Sequence, residues 1–70
     1  MQWFLCISRM PGSKQQKVKI LPETHIPIEG EELQLLCSAG DKKKVERIRE
    51  QFGDEQIIAN PGFILHSLGA

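Results

Sequence analysis

The side chains able to do chemistry are few and scattered. Histidines stand at positions 25 and 66 and cysteines at 6 and 37. Structural metal sites draw Cys and His ligands at short repeated intervals, which hold the donors on one turn or knuckle. His25 and His66 have no Cys or carboxylate cluster at such spacing, and no metal is expected. Cys6 and Cys37 each sit inside an apolar run, and buried thiols are usually inert. Such thiols could join in one disulfide; the reading adopted is two small apolar groups in a reduced core. The carboxylates fall on predicted loops and on a predicted helix without converging on a base. The expectation is therefore a protein that is not an enzyme and carries no cofactor.

The cations say more. Arg9 closes an apolar segment just before a turn, an exposed position suited to gripping a carboxylate or phosphate with two parallel hydrogen bonds; the bland alternative is a solvated charge at a strand end. Lys42, Lys43 and Lys44 form a basic cluster, but at a helix start, where the dipole disfavours cations, and they read as a solvated face. Glu46 with Arg49, and Glu50 with Arg47, stand at ion-pairing distances along that helix. Nine Lys and Arg balance nine Asp and Glu. A nucleic-acid binder normally carries a basic excess, and none is present here. The aromatic residues do not interleave with a basic stripe, so Trp3 is assigned to the core or to a dimer interface rather than to base stacking. Near-zero charge also gives little colloidal repulsion, which suits self-association.

These residues need elements to hold them, and 70 residues allow one thin core. A chain of this length buries only about 60% of the surface its unfolded form exposes. The longest apolar run is Trp3 to Ile7, far short of the roughly 20 residues of a membrane helix. No cationic segment precedes it as in a signal peptide, so a cytoplasmic protein that does not span the membrane is expected. Residues 2–8 predict a strand apolar on both faces, hence an interior one. Met10-Pro11-Gly12-Ser13 is a turn signal. Lys17 to Leu21 alternates with Val18 and Ile20 inward, as a hairpin partner of the first strand would. Residues 22–30, with two prolines and no helical period, predict an extended connection. Residues 31–38 predict a third strand with Leu33, Leu35 and Cys37 toward the core and Leu36 on the other face.

The helix is the plainest element. Asp41 is a fitting N-cap, Val45, Ile48 and Phe52 form its apolar stripe, and Gly53 stands where a left-handed residue ends helices. The fold class expected is α+β, a small, mainly antiparallel sheet with one principal helix packed on a face. Residues 54–70 are too apolar for a loose end, with Ile57, Ile58, Phe63, Ile64, Leu65 and Leu68 around Asn60-Pro61-Gly62. They are expected to form one or two short strands, or to dock on the protein or a partner.

Leu5-Cys6-Ile7-Ser8-Arg9 with Gly12, Lys19-Ile20-Leu21-Pro22 with Thr24 and Ile26, Gly30-Glu31-Glu32-Leu33-Gln34-Leu35-Leu36-Cys37, and Val45-Glu46-Arg47-Ile48 to Phe52-Gly53 follow a familiar rhythm. Over residues 3–53 the chain resembles the TrkA-C (RCK-C) regulatory domain of potassium-transport proteins. Glu31 stands where that family usually has Asp, and the family's first strand and helix have no counterpart here. The resemblance implies a TrkA-C-like domain over 1–53, with 54–70 completing the fold or a dimer interface. It further implies a regulatory homodimer that binds a small effector, a nucleotide or cyclic dinucleotide, and serves a transporter or channel subunit. Arg9, Pro22, Thr24 and His25 are the ligand-binding candidates. The competing expectation is a protein–protein adaptor without a small-molecule ligand.

Overall fold

The computed structural model of the chain describes residues 1–69. Three strands, β1 (Trp3–Arg9), β2 (Gln16–Pro22) and β3 (Glu32–Ala39), precede three helices, α1 (Lys42–Phe52), α2 (Asp54–Ala59) and α3 (Pro61–Gly69). The sheet order is β2-β1-β3, and β1 runs antiparallel to both neighbours. This is the expected α+β arrangement. The doubly apolar sequence of β1 matches its central place: Leu5, Cys6, Ile7 and Ser8 are all buried.

Because β1 opposes both neighbours, β2 and β3 are parallel, and their connection must return along the whole sheet. Pro22 lies opposite Trp3, whereas Glu32 lies opposite Arg9 at the far end. The path is about 25 Å, from a seven-residue strand and two strand spacings. Residues 23–31 reach roughly 30 Å at full extension. A helix could not span that distance, so the prolines and the extended reading of this stretch follow from the topology.

All three helices cover one face of the sheet. Leu5, Ile7 and Val18 meet Leu36, Val45, Ile57 and Ile64 in one cluster, flanked by Trp3, Ile20, Ile48, Phe52 and Leu68. Asp41 caps α1 as expected, its Oδ1 accepting from the Lys43 N–H at 2.9 Å. Gly53 ends the helix with φ 81° and ψ 145°, a region that side-chain-bearing residues avoid, while its N–H donates to the Arg49 carbonyl.

Two expectations need correction. Among the described residues the tail holds no strand: Asp54–Ala59 and Pro61–Gly69 are α2 and α3, joined at Asn60, while Ala70 lies outside the described residues. Asp54 and Glu55 open α2 at its positive end, and Pro61 takes the first position of α3, where its missing N–H costs nothing. Isoleucines that suggested strands are placed by burial instead: Ile57 and Ile64 are fully buried against the sheet. On β3 the inward residue is Leu36, 5% exposed, while Leu35 is 54% exposed and Leu33 lies on the outer face. A β-bulge opposite Leu5 and Cys6 puts one extra residue into β3 and reverses the alternation. Cys37 does pack against the core.

Candidate functional site

The face of the sheet turned away from the helices carries the polar chemistry. Phe4, Cys6 and Ser8 of β1 share it with Lys19 and Leu21 of β2 and with Leu33 and Leu35 of β3. The β2–β3 connection crosses this face, and the Glu31 side chain at its end is only 3% exposed. One Glu31 oxygen lies 3.1 Å from His25 Nε2. The other accepts from Ser8 Oγ at 3.5 Å and lies 3.7 Å from Lys19 Nζ. Ser8 itself is 2% exposed, so this carboxylate satisfies its hydroxyl. The other end of the connection is tied to the N-terminus. The Glu23 N–H donates to the Gln2 carbonyl, and the Gln2 N–H donates to Glu23 Oε1.

The His25 hydrogen bond is the main cause holding the Glu31 carboxyl below its ordinary range; burial opposes it, and the charges of His25 and Lys19 assist. A carboxyl depressed in the folded state stabilises that state above the ordinary carboxylate range, and the contribution is lost as pH falls through the folded value. Urea titrations into acid are therefore expected to show a steep loss of stability in the wild type and a shallower one in Glu31→Gln. Parallel curves for the two proteins would remove Glu31 from the explanation.

Ser8, Glu31 and His25 do not form a nucleophilic relay. The carboxylate lies between the other two, and among the described residues no hydrogen bond joins Ser8 to His25. A nucleophile needs its base in contact and the carboxylate behind that base. The two thiols are free, and burial pushes both up from their ordinary value; Cys6 also feels the charge of Glu31. Among the described residues no three His, Cys, Asp or Glu side chains gather in a way that could hold a metal.

The four ligand-binding candidates divide between two ends of the sheet. Arg9 stands at one end beside the β1–β2 turn, while Pro22 pairs with Trp3 at the other, roughly 20 Å away along the strand. Thr24 is exposed in the turn that follows β2, and His25 reaches back to Glu31. Arg9 instead joins Met10, Ser13, Lys14, Gly30 and Glu32 around an open cleft of about 300 Å³. Among the described residues neither Arg9 nor Lys14 enters an ion pair. This cleft therefore offers two uncommitted cations. Sequence reasoning located Arg9 but missed Glu31 and Ser8, because a strand residue and a loop residue 23 positions away meet only after the crossover forms.

A larger cleft, about 510 Å³, lies between α1, the start of α2 and Ile20, with Lys42, Glu46, Glu50 and Asp54 on its walls. Its Arg49 is committed to Asp54 through two hydrogen bonds of 2.8 Å, rather than to Glu46 as helical spacing suggested. That pairing holds Asp54 below its ordinary value and Arg49 above. Glu46 is met by Lys42 at 4.0 Å, and the same ammonium lies 5.1 Å from the Trp3 ring centroid. With its charges largely matched, this cleft has little pull on an ionic ligand.

Among the described residues no helix is long and apolar enough to cross a membrane. Comparison with protein-family models, with curated proteins and with solved structures finds no match to this chain.

Proposed function

We propose that this chain is a regulatory binding module, working as a homodimer, that senses a small anionic effector and passes its occupancy to an ion-transport system. The effector class is a nucleotide or cyclic dinucleotide. The link to potassium or other ion transport rests on the resemblance of residues 3–53 to TrkA-C domains. The observation that carries the binding role is the one-sided architecture. Every described helix packs on one face, the opposite face shows Leu35 at 54% exposure, and the connection that crosses it exposes Ile26 at 84% and Ile28 at 56%. Apolar side chains left exposed on that face and on the connection that crosses it favour association, and near-zero net charge does not oppose it. The Arg9–Lys14 cleft at the rim supplies uncommitted cations for a phosphate-bearing ligand. Such a ligand acts only by binding two arrangements of the dimer unequally.

Light scattering on the eluting wild type is expected to give twice the chain mass, and Leu35→Glu is expected to give the monomer, still folded. A wild-type monomer at high concentration would sink the dimer. Nucleotides and cyclic dinucleotides are expected to raise the melting temperature of the wild type but not of Arg9→Ala. No stabilisation by any of them favours a protein–protein adaptor without a small-molecule ligand. The open edge of β3 supports that second reading. Its only charged residue is Glu32, so the stretch Leu33–Ala39 lacks the lysines and prolines that usually guard an edge. An adaptor in which the tail itself supplies the added strand does not fit, because that segment is helical.

A further inference from the structure

We propose that Ser8, Lys19 and His25 form an oxyanion site that Glu31 fills from within the chain, and that a phosphate group displaces Glu31 and frees the β2–β3 connection. The proposal rests on the effector-responsive reading above and gives it a second, internally blocked site.

The three donors come from three separate elements, β1, β2 and the connection, and converge on a side chain only 3% exposed. Glu31 fits them imperfectly. Charge-assisted contacts to oxygen prefer about 2.7–2.9 Å. Those made by Glu31 measure 3.1 Å to His25 and 3.7 Å to Lys19, with the Ser8 hydroxyl at 3.5 Å. A carboxylate presents two oxygens in one plane, and two of the three donors must share one of them. A tetrahedral phosphate presents an oxygen to each. Two of the donors are reachable, the Lys19 side chain being 36% exposed and that of His25 28%, and Ser8, 2% exposed, is reached once Glu31 has left.

Release is built into the chain on either side of Glu31. The turn before it ends in Gly30, whose φ of 84° needs no side chain to rearrange. Ile26 and Ile28 are largely exposed and give the connection little packing of its own. At this end Glu31 ties the connection to the sheet face just before the Glu32–Arg9 pair opens β3, and the end at Glu23 remains fixed to Gln2. Freeing the connection would bare Cys6, which is buried on the face the connection crosses and stands opposite Lys19.

The test is made on the full chain with inorganic phosphate, and with formate as a stand-in for the missing carboxylate. In Glu31→Ala, both anions are expected to give saturable amide shifts at Ser8, Lys19 and His25 and to raise the melting temperature, unlike chloride at matched ionic strength. Wild type should bind phosphate at least about tenfold more weakly, because it must first expel a charged competitor. Saturating phosphate should also accelerate labelling of Cys6 in the wild type. A folded Glu31→Ala whose shifts at these residues do not exceed those in chloride overturns the proposal. Where Glu31→Ala does not fold, recovery of its circular dichroism in formate supports the site, and failure to recover overturns it. Phosphate shifts confined to Arg9 and Lys14 would sink this site and leave the proposed function standing. A wild type blank to every nucleotide, beside a Glu31→Ala that takes phosphate, would do the reverse.

Discussion

Ile57→Ala is expected to lower stability by about 3 kcal/mol, and a chain ending at Gly53 is expected not to fold alone. Ile57 sits fully buried on a helix of only six residues, held in place by contact with the sheet and with α1. Large-to-small substitutions at such sites cost about 2–5 kcal/mol, from lost transfer energy and from the cavity left behind. The whole protein commands only about 4–10 kcal/mol at this length. One truncation is therefore a large fraction of the total. Ile64 is equally buried on α3, and Ile64→Ala should match it. Removing both helices uncovers Leu36, Val18 and Ile7 together, which no thin core of this size tolerates. Urea denaturation of the two alanine variants, and circular dichroism of the truncated chain, measure these effects. A cooperative melting transition in residues 1–53 would show that the tail is dispensable.

Gly30→Ala is the second large effect, with an expected loss of about 2–3 kcal/mol, against about 1 kcal/mol for Gly12→Ala. Both glycines have positive φ, 84° and 74°, so both substitutions carry the backbone penalty. They differ in their surroundings. A methyl group on Gly30 would stand 2.5 Å from Cγ of Pro11 and 3.2 Å from its Cβ, whereas one on Gly12 meets nothing within 4 Å. The Pro11 ring is stiff, so relief must come from moving the β1–β2 turn or the start of β3. Either movement reshapes the cleft lined by Arg9, Lys14 and Glu32. Chemical denaturation gives the energies, and amide shifts spreading from Met10 to Lys14 in Gly30→Ala but not in Gly12→Ala would locate the strain. Equal losses in the two variants would mean that the turns do not press on each other.

Local signals settled much of this molecule. The run Trp3–Ile7 is apolar on both faces and became the central strand, with the helices over one face and the β2–β3 connection over the other. Alternation in Lys17–Leu21 marked a hairpin partner, and the Asp41 cap, the Val45-Ile48-Phe52 stripe and the Gly53 stop marked α1. Each of these rests on neighbours within a few residues, where period and capping chemistry act. The tail failed that test. Ile57, Ile58, Ile64 and Leu65 suit a strand by side-chain type, and two helices of six and nine residues are too short for a long periodic signal.

For the candidate site, sequence alone pointed to Arg9 and His25 and passed over Lys14, Lys19, Ser8 and Glu31. Arg9 was legible as an exposed strand end, and it does line a cleft with Lys14. Which residues meet was decided by tertiary structure. The β1–β2 register parts Arg9 from Pro22, and the order β2-β1-β3 carries the nine-residue connection the length of the sheet and brings Glu31 over Ser8. One extra residue in β3 exchanges Leu35 for Leu36 at the core and leaves Leu35 exposed on the outer face. Registers and crossovers are fixed by which apolar faces can be buried together, and that sum over distant residues has no local signature in the chain.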